Sequence, residues 1–388
     1  MYGSAEVAKM KADILIKGGH VVDPSQNLDA VTSVAITGNR IVPADNDVKA
    51  TRTVDASGCY VFPGLIDFHT HLNHLGSGLG TNPDIMAASG VTSAVDAGST
   101  GCLNFPLFLN GTLERSILRL KAYLSVYSLG IGGGGFAEDF DPSRFDEKRI
   151  SDTFSRYSDS LLGLKIRLSI PLTNSIEPLE RMIEIAERLG TSVCVHTTNP
   201  PCSCGEIAQI LRKGDIFCHV YHGKGATILD EAGNIYPEIL EARKRGVIFD
   251  AAHGNNHFSN SICAKSLEMG FMPDVISTDM TGDKMFYGLR ARSLPFVMSK
   301  FLSLGMPLYD VIRCVTDIPA SLMKMGGRIG TLKPGALADV SVFRLEDKEF
   351  PTIDYSGEKY TCTKMLIPQM TVIDGNIVFA QQDFSMFQ

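Results

Sequence analysis

The sequence is poor in several features that mark particular classes of protein. No run of about 20 apolar residues is present, which excludes a conventional transmembrane helix. Positive charge is also scarce, because 36 Lys and Arg residues are outnumbered by 43 Asp and Glu residues, for a net charge of −7. A mildly acidic chain has no general attraction to nucleic acid or to anionic membranes, so we expect neither as a partner. Tryptophan is absent, which by itself excludes nothing.

The cysteines do not form a disulfide or zinc-finger pattern. There are nine of them, an odd number, and most lie in apolar runs, as Cys194 and Cys218 do. This favours buried free thiols in a reducing compartment. Cys202 and Cys204 resemble a metal clip, but no second pair follows at zinc-finger spacing. The first residues also lack the basic-then-apolar pattern of a signal peptide, so we expect a cytoplasmic protein.

The chain does contain enough apolar residues for a large core. Of its 388 residues 44% are hydrophobic, which excludes disorder as the main state. Because α/β barrels reach about 250 residues as one unit, the length fits one barrel plus a smaller domain.

Both ends of the chain carry short strand patterns separated by turn signals such as Gly18-Gly19 and Gly38-Asn39. Two β-rich ends can pair into one small domain. We therefore expect a composite β-sandwich domain built from residues 11–62 and 330–382. Its predicted strands cover 13–16, 20–22, 34–36, 40–42, 60–62, 338–343 and 370–378.

Between the ends, short apolar runs alternate with stretches of helical periodicity. The clearest helix covers 177–190, with Pro178 near its start and Gly190 at its end. Strands that alternate with helices build a parallel sheet, and eight such units close a (β/α)₈ TIM barrel, which we expect over 63–329. The eight predicted strands cover 64–69, 91–95, 121–126, 162–166, 191–196, 215–219, 246–250 and 273–277.

Polar residues stand at the carboxyl ends of these strands, where barrels hold their catalytic groups. His69 and His71 end the first strand and share its inward face, because side chains alternate along a strand. Neutral imidazoles together with a carboxylate suit zinc-like ions. The pattern therefore predicts a metal site. The other predicted ligands, from the fourth, fifth, sixth and eighth strands, are Lys165, His196, His219 and Asp279.

Lys165 would be a buried cation beside these ligands. Burial and nearby metal ions favour its neutral amine, which can take up carbon dioxide and become a carbamate. That anion has two oxygens, enough to bridge two metals. The chemistry thus predicts two divalent metal ions and a carbamylated Lys165. We expect Zn²⁺, although manganese and cobalt suit the same ligands.

Other residues near the strand ends are expected to support this centre. Asp67 would orient the ligand histidines, and His222 would lie outside the ligand set. His74 and His257 would be loop residues without a ligand role. The glycine-rich loop at 130–135 predicts a mobile flap.

The predicted substrate contacts are a histidine and three arginines. His253 follows the seventh strand and could contact the leaving group, while Arg167 shares the inward face with Lys165. Arg290 and Arg292 follow the eighth strand as further anion-binding candidates. This local positive charge in an acidic protein indicates a substrate that carries a carboxylate.

Taken together, these motifs resemble the amidohydrolase superfamily, with HxH on strand 1, Lys on strand 4, His on strands 5 and 6, and Asp on strand 8. The segments 62–67 and 330–339 resemble it as well. Within the superfamily the chain is most similar to the dihydroorotase-like amidohydrolase/deacetylase group, on segments 163–167, 211–219 and 297–306. The resemblance implies hydrolysis of acetyl amides or esters of small carboxylic acids. It also implies a homo-oligomer, because relatives are often multimeric.

We therefore expect a binuclear metal-dependent hydrolase that cleaves an amide or ester bond, with acetyl as the acyl group, of a small carboxylate-bearing molecule. A metal-bound hydroxide would attack the polarised carbonyl. Asp279 would accept the proton and pass it to the leaving group.

Two other functions stay open. A cyclic amidase of dihydroorotase or hydantoinase type would use the same centre with a different pocket. Dihydroorotases usually carry Arg two residues after HxH, whereas this chain has Asn73, whose neutral amide cannot replace a cationic fork. Deaminase relatives lack the strand-4 lysine, so Lys165 disfavours deamination. A non-catalytic scaffold would have lost metal ligands, and this chain keeps all six.

Overall fold

The computed structural model describes residues 11–44, 48–131, 137–282 and 285–384, and within them the strands form three sheets. The amino-end strands are β1 (Lys11–Lys17), β2 (His20–Asp23), β3 (Leu28–Val31), β4 (Val34–Thr37), β5 (Arg40–Val42), β6 (Lys49–Asp55) and β7 (Tyr60–Pro63). The middle of the chain contributes β8 (Leu65–Thr70), β9 (Val91–Gly101), β10 (Arg119–Ser125), β11 (Leu161–Arg167), β12 (Ser192–His196), β13 (Ile216–Cys218) and β14 (Ile248–Asp250). The carboxyl end adds β15 (Val340–Ile353), β16 (Lys359–Ile373) and β17 (Asn376–Ala380).

The two ends of the chain share a sheet, as predicted. β7 pairs antiparallel with β15, with Val61 opposite Val342, and this pairing creates a six-stranded sheet in the order β17-β16-β15-β7-β2-β3. A second sheet has the order β5-β4-β1-β6. Alternation along β1 buries Ile14 and Ile16, which belong to one hydrophobic cluster with Val61 and Val342. The composite β-structure is confirmed.

The middle strands form the predicted barrel. β8 to β14 are parallel and follow chain order around a seven-stranded sheet. An eighth segment closes it. Val275 bridges to Asp250 at the end of β14, and Met280 bridges to Thr70 at the end of β8. The closing segment is irregular because Asp279 has a left-handed backbone (φ 52°). Phe68 and Tyr123 help to fill the barrel interior.

The predicted helix at 177–190 is confirmed, because a helix covers Glu177–Leu189 and is capped by Gly190. No helix of the described residues is long and apolar enough to cross a membrane. Short 3₁₀ segments lie at Pro24–Gln26, Pro83–Ser89 and Pro142–Arg144, and a π-helical turn lies at Leu109–Leu113. The α-helices are α1 (Phe105–Phe108), α2 (Glu147–Arg156), α3 (Glu177–Leu189), α4 (Cys204–Ile210), α5 (Pro237–Arg245), α6 (Asn260–Glu268), α7 (Leu294–Ser303), α8 (Leu308–Val315) and α9 (Asp317–Leu322).

The β15–β16 hairpin is longer than the sequence pattern predicts, and it reaches the barrel loops that follow the strands. Ile353 N donates to Leu289 O over 2.9 Å, and Tyr355 N donates to Phe258 O over 2.9 Å. The carboxyl-end strands therefore support the face of the barrel where the site residues gather. The division of the chain into 11–62 with 330–382 and a barrel over 63–329 stays a prediction.

Candidate metal centre

The six predicted ligands converge at the carboxyl ends of the barrel strands. Five of them line a cavity of about 270 Å³, and the His219 ring lies 4.3 Å from the His196 ring, centroid to centroid. The described residues that line the cavity are His69, His71, Leu79, Ile131, Lys165, Arg167, His196, Asn255, Asn256, His257, Asp279 and Thr281.

One group of ligand atoms surrounds the Asp279 carboxylate. Its Oδ1 lies 3.1 Å from His71 Nε2 and 3.6 Å from His69 Nε2. One ligand atom from each of the three residues lies within 4.8 Å of the others, a spacing that suits one metal ion.

A second group consists of three histidines, His196, His219 and His257, whose ligand nitrogens also lie within 4.8 Å of one another. His219 Nε2 is fully buried and has no hydrogen-bond partner among the described residues. Because buried polar atoms are normally bonded, this free nitrogen fits a metal ligand.

His257 lies closer to the predicted ligands than the sequence pattern indicates, and the expectation that it has no ligand role stays a prediction. It does lie in the loop after β14, yet its Nε2 is 3.7 Å from Asp279 Oδ2 and its Nδ1 is 2.9 Å from Thr198 Oγ1. The only signal for it in the sequence was its position after a barrel strand, and that signal is shared with His253.

The ligand histidines are held through their other ring nitrogens. His69 Nδ1 lies 3.1 Å from Asp250 Oδ2, His71 Nδ1 lies 3.0 Å from Ser99 Oγ, and His219 Nδ1 donates to Ala252 O over 2.7 Å. Such contacts fix the ring and direct its Nε2 toward the site. Sequence reasoning missed Asp250, the carboxylate that orients His69.

Asp67 contacts both the closing segment and the first ligand histidine. It accepts hydrogen bonds from Thr278 N at 3.0 Å and Thr278 Oγ1 at 2.6 Å, and the backbone N–H of His69 also donates to it. Its expected role in orienting the ligand histidines stays a prediction. Burial raises the pKa of Asp67 to about 7, and burial does the same to Asp250.

The electrostatics keep three of the predicted ligand imidazoles neutral. Burial, followed by the charge of neighbouring groups, lowers the pKa of His69, His196 and His219 well below the ordinary value. A neutral imidazole has a free lone pair, which a metal ion requires.

Lys165 is buried at the base of the cavity. Its Nζ lies 3.3 Å from His69 Nε2, 3.4 Å from Cys194 Sγ and 3.9 Å from Cys218 Sγ. Burial lowers the pKa of Lys165, but the two thiols and Asp279 raise it, and the net direction is upward. The expected neutral amine therefore does not follow from the protein groups alone, and it depends on the charge of nearby metal ions.

Arg167 lines the cavity, as predicted, and forms an ion pair with Glu138. The structure does not bring the other predicted cations into the site. Arg290 Nε donates to Asp354 O over 3.0 Å, and Arg292 Nη2 donates to Phe286 O over 3.1 Å. Both arginines are held by backbone carbonyls outside the described lining.

His253 is also a correction, because its side chain lies away from the cavity. It is 1% exposed, and its Nε2 lies 3.1 Å from Lys300 Nζ on α7. The chain turns at Gly254, which has a left-handed backbone (φ 53°), so that Asn255, Asn256 and His257 face the cavity instead.

The remaining candidates have simpler outcomes. His222 is buried, with its Nε2 3.6 Å from Cys204 Sγ, and His74 Nδ1 lies 3.3 Å from Leu72 O. Most of the predicted flap at 130–135, namely residues 132–135, lies outside the described residues. All nine cysteines are free thiols, as expected.

A (β/α)₈ barrel with this histidine, lysine and aspartate set at its strand ends is that of a metal-dependent hydrolase acting on small molecules. The chain belongs to the amidohydrolase family, whose model matches residues 60–378. Members of this family generally bind two metal ions. The resemblance drawn from the motifs is thereby confirmed.

The chain is similar in sequence to proteins named deacetylase and dihydroorotase. A deacetylase of Brucella anthropi is 31% identical over 355 residues, which cover 90% of this chain and 86% of the relative. A deacetylase of Agrobacterium fabrum is 31% identical over 354 residues, covering 90% and 85%. A dihydroorotase of Geobacter metallireducens is 37% identical, but only over 47% of this chain and 42% of the relative.

Solved structures show the same fold over nearly the whole chain. An adenine deaminase has a TM-score of 0.85 and 26% identity, covering 95% of this chain and all of that one. A dihydroorotase has a TM-score of 0.83 and 29% identity, covering 97% and 99%.

Proposed function

We propose that this chain is a binuclear deacetylase that hydrolyses an acetyl amide or ester of a small carboxylate-bearing molecule. The observation that carries the proposal is the convergence of His69, His71, Lys165, His196, His219 and Asp279 around one cavity. The two relatives named deacetylase, each aligned over 90% of the chain, support the acetyl group.

The donor set divides into two halves. His69, His71 and Asp279 would hold one ion, and His196 and His219 the other. Lys165 would bridge them as a carbamate, and we propose zinc because imidazole and carboxylate ligands suit it. When bound, such ions polarise a carbonyl and lower the pKa of water.

Asp279 is proposed as the group that moves the proton. Its carboxylate faces the cavity with 11% of the side chain exposed, so it can accept a proton from water and hold it for the leaving group. His257 lies beside it and stays neutral, because burial lowers the pKa of His257 to about 4. Asp279 is therefore the best-placed described group for this transfer.

Arg167 is proposed to bind the substrate carboxylate. The Glu138 carboxylate accepts a hydrogen bond from Nη1 of Arg167, and the other N–H donors of the guanidinium can bind a ligand. Because Arg290 and Arg292 are held elsewhere, the carboxylate argument rests on this one arginine.

A cyclic amidase is the second candidate, favoured by the dihydroorotase structure at a TM-score of 0.83. Asn73 argues against dihydroorotate itself. Its side chain is neutral, the residue is 5% exposed, and it is not among the described residues that line the cavity.

The cellular location is proposed to be the cytoplasm, which the nine free thiols support. A homo-oligomer is proposed from the resemblance to multimeric relatives.

A substrate panel tests the proposed function. The metal-supplemented enzyme is assayed on N-acetyl amino acids, O-acetyl hydroxy acids, hydantoins, dihydropyrimidines and dihydroorotate. We expect turnover of the acetyl compounds that carry a carboxylate. Turnover of the cyclic amides alone would replace the deacetylase with the cyclic amidase, and turnover of neutral acetyl compounds alone would remove the role of Arg167.

A further inference from the structure

The last residue of β14 and the segment that follows it contact proposed metal ligands from three other barrel segments. Asp250 Oδ2 lies 3.1 Å from His69 Nδ1, and Ala252 O accepts from His219 Nδ1 at 2.7 Å. At Gly254 the backbone comes so close to Asp279 that an added Cβ would lie 2.6 Å from its Oδ2. The position of residues 250–254 therefore affects both halves of the centre.

This segment has a conformation that it would not adopt unaided. Ala252 has φ 35°, in the left-handed region, which residues with a Cβ rarely occupy, and Gly254 continues the turn at φ 53°, which a glycine adopts freely. Such a backbone persists only where the surrounding structure holds it. The residue between them, His253, is the one whose side chain points away from the cavity.

Lys300 on α7 contacts the His253 side chain on the side that faces away from the cavity. The two residues are 0% and 1% exposed, and Nζ lies 3.1 Å from Nε2. His253 Nδ1 donates to Gly254 O over 2.8 Å, so Nε2 is the acceptor for the lysine. The His253 ring stacks on the Phe258 ring at 4.2 Å between centroids, and Lys300 Nζ lies over the Phe258 ring, 4.4 Å from its centroid.

Burial of the Lys300 ammonium group costs folding free energy, which argues against a purely structural role. Across residues 11–44, 48–131, 137–282 and 285–384 it forms no ion pair with a carboxylate, and an unpaired buried cation costs stability that an apolar side chain would not. Its helix is firmly placed, because Leu366 N on β16 donates to Ser299 Oγ over 2.9 Å. Lys300 thus connects a fixed helix to the segment that holds the ligands.

We propose that Lys300 and His253 are positioning residues that fix residues 252–254 and thereby hold His219 and Asp279 in place for metal binding. The proposal rests on the metal centre proposed above. It assigns a role to two buried polar residues that do not contact the cavity.

The test compares Lys300→Met with Val297→Ala, a buried apolar truncation on the same helix. Metal affinity is measured by competition with a chelator, and the ligand geometry by the absorption spectrum of the Co²⁺-loaded protein. Loss of residues that orient metal ligands typically weakens metal binding by about 10–100-fold, and we expect a loss of this size with an altered Co²⁺ spectrum. Val297→Ala should lower stability without changing either readout.

His253 provides two further variants. His253→Phe removes the acceptor and should match Lys300→Met, whereas His253→Gln keeps an acceptor and should retain more metal affinity. The double variant Lys300→Met/His253→Phe should bind metal no more weakly than the worse single variant, because the pair acts as a unit. These variants also decide the question if Lys300→Met fails to fold.

Three outcomes overturn the proposal: wild-type metal affinity in Lys300→Met, an equal loss in Val297→Ala, or additive losses in the double variant. Failure of the proposed function is separate, since it would show as a wild-type chain that binds no divalent metal or hydrolyses nothing in the panel.

Discussion

Two of the proposed ligands have unusual backbone conformations. Asp279 and His219 are non-glycine residues in the left-handed region, at φ 52° and 61°. A residue held there costs on the order of 1–3 kcal/mol, so neighbouring contacts must stabilise it. Asp279 N donates to His69 O over 2.7 Å, which ties the closing segment to the end of β8. Backbone strain is thus present at two of the proposed ligands, as is common in active sites.

Asp279→Asn keeps the shape of the side chain but removes its charge and its basicity. We expect kcat to fall by about 10²–10⁴, the usual range for a lost general base. Steady-state kinetics on an acetylated substrate, with metal content measured on the same sample, checks this. Near-normal turnover with metal bound would assign proton transfer to another residue. His257 is then the nearest alternative, because the side chain of His253 lies away from the cavity.

Of the three arginines that the sequence predicts as substrate contacts, Arg167 alone lines the described cavity, and Arg167→Met removes it. A hydrogen bond to a charged group contributes about 1.5–3 kcal/mol, so KM for carboxylate-bearing substrates should rise by roughly 10–100-fold with a smaller change in kcat. Neutral acetyl compounds and the variant Arg292→Met serve as controls. An equal rise in KM for neutral and charged substrates would contradict carboxylate binding by Arg167.

The strands and their inward faces could be predicted because alternation and turn signals are local properties. His69, His71 and Lys165 came from that pattern, and the structure brings them together. His253 and His257 could not be told apart, because the turn at Gly254 decides which of them faces the cavity. The contact of the β15–β16 hairpin with the barrel loops could not be predicted either, because its partners on the barrel are distant in sequence.

The strand ends also supply the groups that orient the ligands, and Asp250 at the end of β14 is the clearest. It contacts His69 Nδ1 and accepts from Ser277 Oγ at 2.5 Å. Asp250→Asn should weaken metal binding by about 10–100-fold, as loss of such a partner usually does. Chelator competition measures it. Asp274→Asn is the control, because Asp274 accepts from Phe249 N on the same strand, away from the described lining. Unchanged affinity in Asp250→Asn would count against the orienting role.

At the scale of the whole molecule, the barrel and the end sheets are joined by polar contacts as well as apolar ones. Arg119 on β10 forms ion pairs with Asp339 and Asp374. Asp339 is 2% exposed, and its backbone carbonyl accepts from Gly64 N at 2.9 Å, just before β8. This contact places the first barrel strand relative to the six-stranded sheet.

Arg119→Met leaves the buried Asp339 carboxylate without its partner. Breaking a buried pair in this way costs about 3–5 kcal/mol, and we expect a loss of that order in the free energy of unfolding measured in urea. Arg144→Met breaks an exposed pair with Asp139 and should cost no more than about 1 kcal/mol. Similar losses in the two variants would contradict the structural importance of the Arg119 contact.

The binuclear centre is tested most directly by the metal content of the purified chain. After supplementation with zinc and removal of free metal, elemental analysis should find about two divalent ions per chain, because two sets of donors lie around the cavity that Lys165 lines. Lys165→Ala, which removes the proposed bridge, should retain fewer ions under the same conditions. A wild-type content that stays at one ion, or at none, would contradict the binuclear centre.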